Sequence, residues 1–196
     1  MLPNIRRHSV TVAKAALQIL NGYGANGRQQ QAALPDTKLV VAGALLHDIA
    51  KTPCLREGCD HARAGARICM ELGFPEIARI VAEHVILKEY DPSRYRQGIF
   101  SAVEIIYYAD KRVRHEEVVS LEDRLEYILE HYGKQDPEIH GLIRENFAKC
   151  IELEQYLFSF LDFSPGQLAE KVLENNVFGE PAILPGEDEI TAREQG

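Results

Sequence analysis

Apolar residues recur along this chain every three to four positions, and glycine, proline and capping residues punctuate the recurrence at helical lengths. Val10, Ala13, Leu17 and Leu20 form the apolar face of a first helix that dies at "NGYGANG", and residues 21–37 read as a polar, glycine-rich loop. Asp36 or Thr37 caps a second helix, which carries "AGALLHDIAK" at residues 42–51 and is expected to stop before Pro53. Asp60 caps a third helix that ends at Gly73. Pro75 suits the first turn of a fourth, with Ile77, Ile80 and Val81 on its apolar face. "LKEYDPSRYRQG" reads as a loop long enough to be functional, and a fifth helix runs through Val103, Ile106 and Val113.

Ser120 and Asp123 then make a capping-box pattern, Gly133 a stop, and Asp136-Pro137 the start of a long helix marked by Ile139, Ile143, Phe147, Cys150, Leu157 and Leu161. "SPGQ" at 164–167 opens one more helix. No stretch alternates with period two over the length of a strand, so the predicted fold class is all-α. The expected organisation is a core over 1–118, a helical extension over 119–178 packed on it, and a polar tail over 179–196.

The same periodicity places polar residues where a core is expected. His8 shares a face with Val12, Ala15 and Ile19; His84 falls on the Ile77–Ile80–Val81 stripe; Asp110 falls on the Val103–Ile106–Val113 stripe. His47 and Asp48 interrupt the most apolar helix of all. His61 opens its helix, with Gly65 one turn later, where a neighbouring element can approach closely. A buried ionised carboxylate costs several kcal/mol unless it is paired or coordinated. Four inward histidines and two inward carboxylates make a poor core and a good metal site, suited by ligand type to iron, manganese, cobalt, nickel or zinc.

Composition narrows the classes. The chain is 45% hydrophobic with a formal net charge of −8, so a nucleic-acid polymer is a poor partner, while a small anion held by local cations is not excluded. No apolar run approaches the roughly 20 residues of a membrane span, and the first ten residues lack a signal-like apolar stretch; a cytoplasmic location is expected. Cys54, Cys59, Cys69 and Cys150 are then expected as thiols. The spacing of Cys54, Cys59 and His61 lacks a second cysteine pair and is weak as a zinc signal. His115, His131 and His140 read as structural or surface residues, and Tyr107 and Tyr108 as packing groups.

Five motifs in order, "RRHSVTVA", "ALLHDIAKT", "DHARAGARI", "IVAEHV" and "IIYYADKRV", resemble the HD superfamily of metal-dependent phosphohydrolases over about residues 4–115. The resemblance implies an HD-domain helical bundle with extra C-terminal helices. It implies His8, His47, Asp48 and Asp110 as ligands of a principal divalent metal, and His61 and His84 as ligands of a second, with Asp48 bridging. Magnesium is possible beside the transition metals. Lys51 is implied to serve a substrate phosphate or to stand behind the ligands, so the expected catalytic group is Asp48, Lys51 and Asp110. The implied substrate is a small phosphorylated molecule, a nucleotide first. No GYP-type motif follows His84, which argues against the cyclic-di-GMP phosphodiesterase branch, and "EHVILKEY" lacks the threonine-glycine turn of the dinucleoside tetraphosphatase branch. Two other readings stay open: a di-iron oxygenase on the same ligand set, and a non-catalytic nucleotide- or phosphate-binding regulator. Lys88, Arg94 and Arg96 are candidates to close over an anion, and the long helix at 137–161 is a candidate lid or homodimer face.

Overall fold

The computed structural model describes residues 1–23 and 34–174. The predicted polar tail, and residues 24–33 of the predicted loop, lie outside the described residues. The described residues are helical almost throughout: α1 (Pro3–Gly22), α2 (Thr37–Leu46), α3 (Lys51–Glu57), α4 (His61–Glu71), α5 (Pro75–Glu83), α6 (Pro92–Arg96), α7 (Ala102–Lys111), α8 (Leu121–Tyr132), α9 (Pro137–Phe158) and α10 (Leu168–Glu174). The fold is all-α, with one small ribbon in which β1 (Val113–Arg114) pairs antiparallel with β2 (Glu117–Val118), Val113 opposite Val118.

The centre is made by α1 and α7. Val12, Ala13, Ala15, Ala16 and Ile19 of α1, and Ile105, Ile106, Tyr107, Tyr108 and Ala109 of α7, are fully buried. Around this pair stand α2 and α5, with α4 outside α5. The long α9 lays Phe147, Cys150, Leu153 and Leu157 inward, and packs on α7 while α8 packs on α9. Glycines set two of the close approaches. A Cβ on Gly65 of α4 would stand 2.8 Å from Val81 Cγ1 of α5, and one on Gly43 of α2 would stand 2.6 Å from Ile80 Cδ1. Side chains at either position would push apart the helices that carry His61, His84 and His47.

Capping follows the predicted pattern. Asp36, Asp60 and Asp136 each accept two backbone N–H groups at the start of α2, α4 and α9, and Ser120 accepts the Asp123 N–H at the start of α8.

Several elements differ from the sequence expectation. The apolar second helix is not continuous: α2 ends at Leu46, residues 47–50 form tight turns closed by Ile49 N–H to Leu46 O and Lys51 N–H to Asp48 O, and α3 restarts at Lys51. Pro53 is tolerated because it sits in the first turn of α3, where its missing N–H has no helical partner to lose. The loop after His84 contains α6, capped by Asp91. Val113 leaves the fifth helix for the ribbon. The cysteine expectation is also corrected. Cys54 and Cys59 form a disulfide, because the chain reverses at Gly58, in the left-handed region (φ 69°), and brings their Cα atoms to 4.6 Å. Cys69 and Cys150 are free and buried.

Candidate metal centre

Five of the six candidate ligands sit at or near the end of a helix or at a turn, and His8 lies in the second turn of α1. The last carbonyls of a helix have no intrahelical donor. His47 follows the last residue of α2, and its Nδ1 donates to Ala44 O at 2.6 Å. His84 follows the last residue of α5, and its Nδ1 donates to Val81 O at 2.7 Å. His8 does the same across the fold, with Nδ1 donating to His115 O at 2.9 Å; His115 presents that carbonyl from a left-handed conformation (φ 55°). A carbonyl can only accept, so all three rings carry a proton on Nδ1 and turn Nε2 inward.

Those nitrogens converge. His8 Nε2 lies 3.0 Å from Asp110 Oδ1, and His47 Nε2 lies 3.5 Å from Asp110 Oδ1 and from Asp48 Oδ2. On the other side, Asp48 Oδ1 lies 3.3 Å from His61 Nε2 and 3.5 Å from His84 Nε2, and the two histidine nitrogens are 3.2 Å apart. The ligand atoms of His8, His47 and Asp48 lie within 4.8 Å of one another, as do those of Asp48, His61 and His84. Asp48 is common to both groups, with one oxygen toward each. It is 1% exposed and His47 is fully buried; His61 is the most open, its side chain 28% exposed.

The chemistry of this donor set fits a divalent cation. Asp48 Oδ1 and His47 Nε2 are buried and lack any hydrogen-bond partner, a state that costs about 1–3 kcal/mol or more per group unless something else satisfies it. His61 and His84 bring their Nε2 atoms to 3.2 Å of each other, close enough for one ion to take both. Electrostatics agree. Burial opposes the charged form of His47, but Asp48 and Asp110 more than offset it and raise the ring to about 10. Burial alone would protonate Asp48 and Asp110; the surrounding histidines outweigh it and hold both carboxyls well below the usual range. Burial depresses His84 and so keeps its lone pair free. Without a metal, a proton on His47 supplies the positive charge that the carboxylates demand; a metal ion supplies it better.

Lys51 opens α3 just beyond the helix break and donates from Nζ to Asp48 Oδ2 at 2.8 Å. Burial works against its charge, yet Asp48 and Asp110 raise its pKa. The turn at 47–50 thus delivers imidazole, carboxylate and ammonium to one place. The cluster forms the floor of a cavity of about 340 Å³, in which Lys51, His61, His84 and Asp110 meet Arg124, Ile128, Ile139, Leu142, Ile143 and Phe147 of α8 and α9.

Some site features escaped the sequence reading. Lys111 lines the cavity beside Asp110, with Nζ donating to His84 O and Val85 O and lying 3.6 Å from the Tyr107 ring centroid; burial pushes it down to about 8. The signal was present, since an ammonium directly after Asp110 sits in an apolar helix. Arg124 had no such signal. The loop cations do not line this cavity: Arg94 reaches Glu104 and Arg96 lies over the Tyr156 ring. The cysteine-histidine zinc spacing is likewise dissolved, because Cys54 and Cys59 are bonded to each other and His61 faces Asp48. His131 is exposed and bonds its own helix, whereas His115 stacks edge-on against Tyr127.

Comparison with known proteins places this arrangement. An uncharacterized protein of Methanocaldococcus jannaschii is 28% identical over 159 residues, which span 73% of this chain and 86% of the relative. No solved structure matches the chain significantly. Among the described residues no helix is long and apolar enough to cross a membrane. The HD domain family matches residues 5–128, a span that holds all six candidate ligands and runs into α8. The chain therefore belongs to the HD-domain family, a superfamily of metal-dependent phosphohydrolases.

Proposed function

We propose that this protein hydrolyses a small phosphoester at the cluster of His8, His47, Asp48, His61, His84 and Asp110. The observation that carries the reading is Asp48, a fully buried carboxylate with one oxygen toward His47 and the other toward His61 and His84, and with Lys51 bound to it at the cavity floor. His8, His47, Asp48 and Asp110 would hold one divalent ion, and Asp48, His61 and His84 a second; iron, manganese, cobalt, nickel or zinc suit these ligands, and magnesium is tolerated less well. Ions held there lower the pKa of bound water and offset charge on phosphoryl oxygens.

The chain's own residues do the rest. The Nδ1 bonds to Ala44, Val81 and His115 carbonyls hold three imidazoles with Nε2, the nitrogen that would ligate an ion, toward the site. Lys51, half-held by Asp48, presents an ammonium to a phosphoryl oxygen where negative charge grows. Asp110 Oδ1, 3.0 Å from His8 Nε2, would share the charge of the principal ion with that ring. A nucleotide is the first substrate to try, because the family resemblance suggests it.

The test is elemental analysis of protein purified without chelator, followed by phosphate release over a panel of nucleotides and simple phosphoesters. One to two ions per chain with phosphate release supports the proposal. Metal-free protein, or iron-loaded protein that consumes oxygen with a small polyol or phosphonate and releases no phosphate, overturns it.

A further inference from the structure

The cavity has two unlike surfaces. Its floor is ionic, with Asp110, His61, His84 and Lys51, and two further cations, Lys111 and Arg124, line it. Its wall is apolar: Ile128 of α8 and Ile139, Leu142, Ile143 and Phe147 of α9 face the same space. Leu142 is 63% exposed and Ile86, which also lines the cavity, is 62% exposed, so both have apolar surface left to cover.

What the wall lacks is as informative. Reading a nucleobase takes paired donors and acceptors aimed at its edge. The one amide among the lining side chains is Asn146, and both of its ends are engaged: Nδ2 donates to Val85 O at 2.9 Å, and Oδ1 accepts from the Tyr107 hydroxyl at 2.8 Å. Lys51, Lys111 and Arg124 are donors only, and Tyr132, 54% exposed, offers a single hydroxyl and no donor–acceptor pair. Lys51 is matched by Asp48, and Lys111 and Arg124 still outnumber Asp110, so the floor favours an anion. At about 340 Å³ the cavity lies near the small end of ligand pockets, roughly 300–1,000 Å³.

From this we infer that the substrate is a compact phosphate monoester with an apolar body, its phosphate on the floor and its alkyl or aryl group against α8 and α9. The inference rests on the phosphohydrolase reading and narrows it. In the reaction, water oxygen bonds to phosphorus, the bond from phosphorus to the ester oxygen breaks, and the alcohol leaves with a proton, giving inorganic phosphate and an apolar alcohol. The C-terminal extension is then the specificity element, because the ligand set contributes no apolar surface of its own.

Phosphonates separate the two claims, since they bind without turning over. Affinities of methylphosphonate and phenylphosphonate are measured by calorimetry on metal-loaded protein of known metal content. Phenylphosphonate is expected to bind about tenfold more tightly, the order expected for burying one small apolar group. Leu142→Ala, a change at an exposed side chain that the fold tolerates, should weaken phenylphosphonate about fivefold more than methylphosphonate. Adenosine monophosphate is run alongside. Equal affinities for the two phosphonates, or a marked preference for the nucleotide, overturn the apolar-body inference and leave the phosphohydrolase reading standing. Failure of all three ligands to bind metal-loaded protein overturns both.

Discussion

The ligand cluster, which reaches the cavity floor through His61, His84 and Asp110, draws six side chains from five separate segments between residues 8 and 110, whereas the cavity wall comes mainly from two helices between residues 121 and 158. On the floor each atom has a fixed job. Asp48 must offer one oxygen to each side, and three histidines must carry their proton on Nδ1. On the wall only shape and apolarity matter, and Ile, Leu and Phe are nearly interchangeable in kind. The floor is therefore brittle to substitution and the wall is graded, which separates residues that permit a reaction from residues that choose its substrate.

Substitutions test that contrast in order of size. Asp48→Ala removes the carboxylate that both ligand groups share, so metal content should collapse and hydrolysis should fall by about 1,000-fold or more, the scale of deleting a preorganised electrostatic group; substantial activity with full metal content would break the comparison. His61→Ala touches one group alone and should cost one ion per chain while the other remains, with turnover down by about 100-fold, as read by elemental analysis beside kinetics. Lys51→Ala should leave metal content intact and lower turnover about 10- to 100-fold, because an ammonium near the phosphate is lost and no ligand is.

The last prediction is of stability, and it concerns pH. His47 is raised to about 10 by Asp48 and Asp110 against the opposing effect of burial, so its protonated form stabilises the metal-free fold fully below about pH 6.5, its unfolded pKa, and progressively less above it. Lys111, pushed down by burial to about 8, acts in the opposite direction above that pH. The clean window is thus roughly pH 6.5 to 8, where chelator-treated protein should lose about 2 kcal/mol at most. Metal-loaded protein should show no such loss, because the ion replaces the proton. Thermal melts of both forms across this window decide the matter.

The two surfaces also differed in how far the sequence disclosed them. Ligand chemistry demands particular residue types, and an imidazole or carboxylate on an apolar stripe stands out by contrast, so His8, His84 and Asp110 were visible from periodicity alone. The wall residues Ile139, Ile143 and Phe147 were visible only as a helical apolar face. Nothing in a spacing of three or four distinguishes a side chain that fills a core from one that lines a cavity, and that difference depends on where α9 lands. The break at 47–50 was hidden for a related reason. Leu45 and Leu46 before it and Ile49 and Ala50 within it are all apolar, and the i to i−3 bonds that close the turns leave no mark in composition. The Cys54–Cys59 bond was missed because a compartment argument was applied where a local chain reversal at Gly58 decides.

His8 and Asp110 meet across 102 residues of chain, at 3.0 Å. An ion gripped by both acts as a reversible cross-link spanning nearly the whole family domain. Like any long-range tie, it removes far more freedom from the unfolded chain than a local one, by an amount that grows with the logarithm of the loop. It also sets an order of events. The tie could not be made until α1 and α7 had docked, so an ion shared by His8 and Asp110 would be captured only after the segment carrying Asp110 had emerged and packed, and its capture would report completion of the bundle instead of starting it.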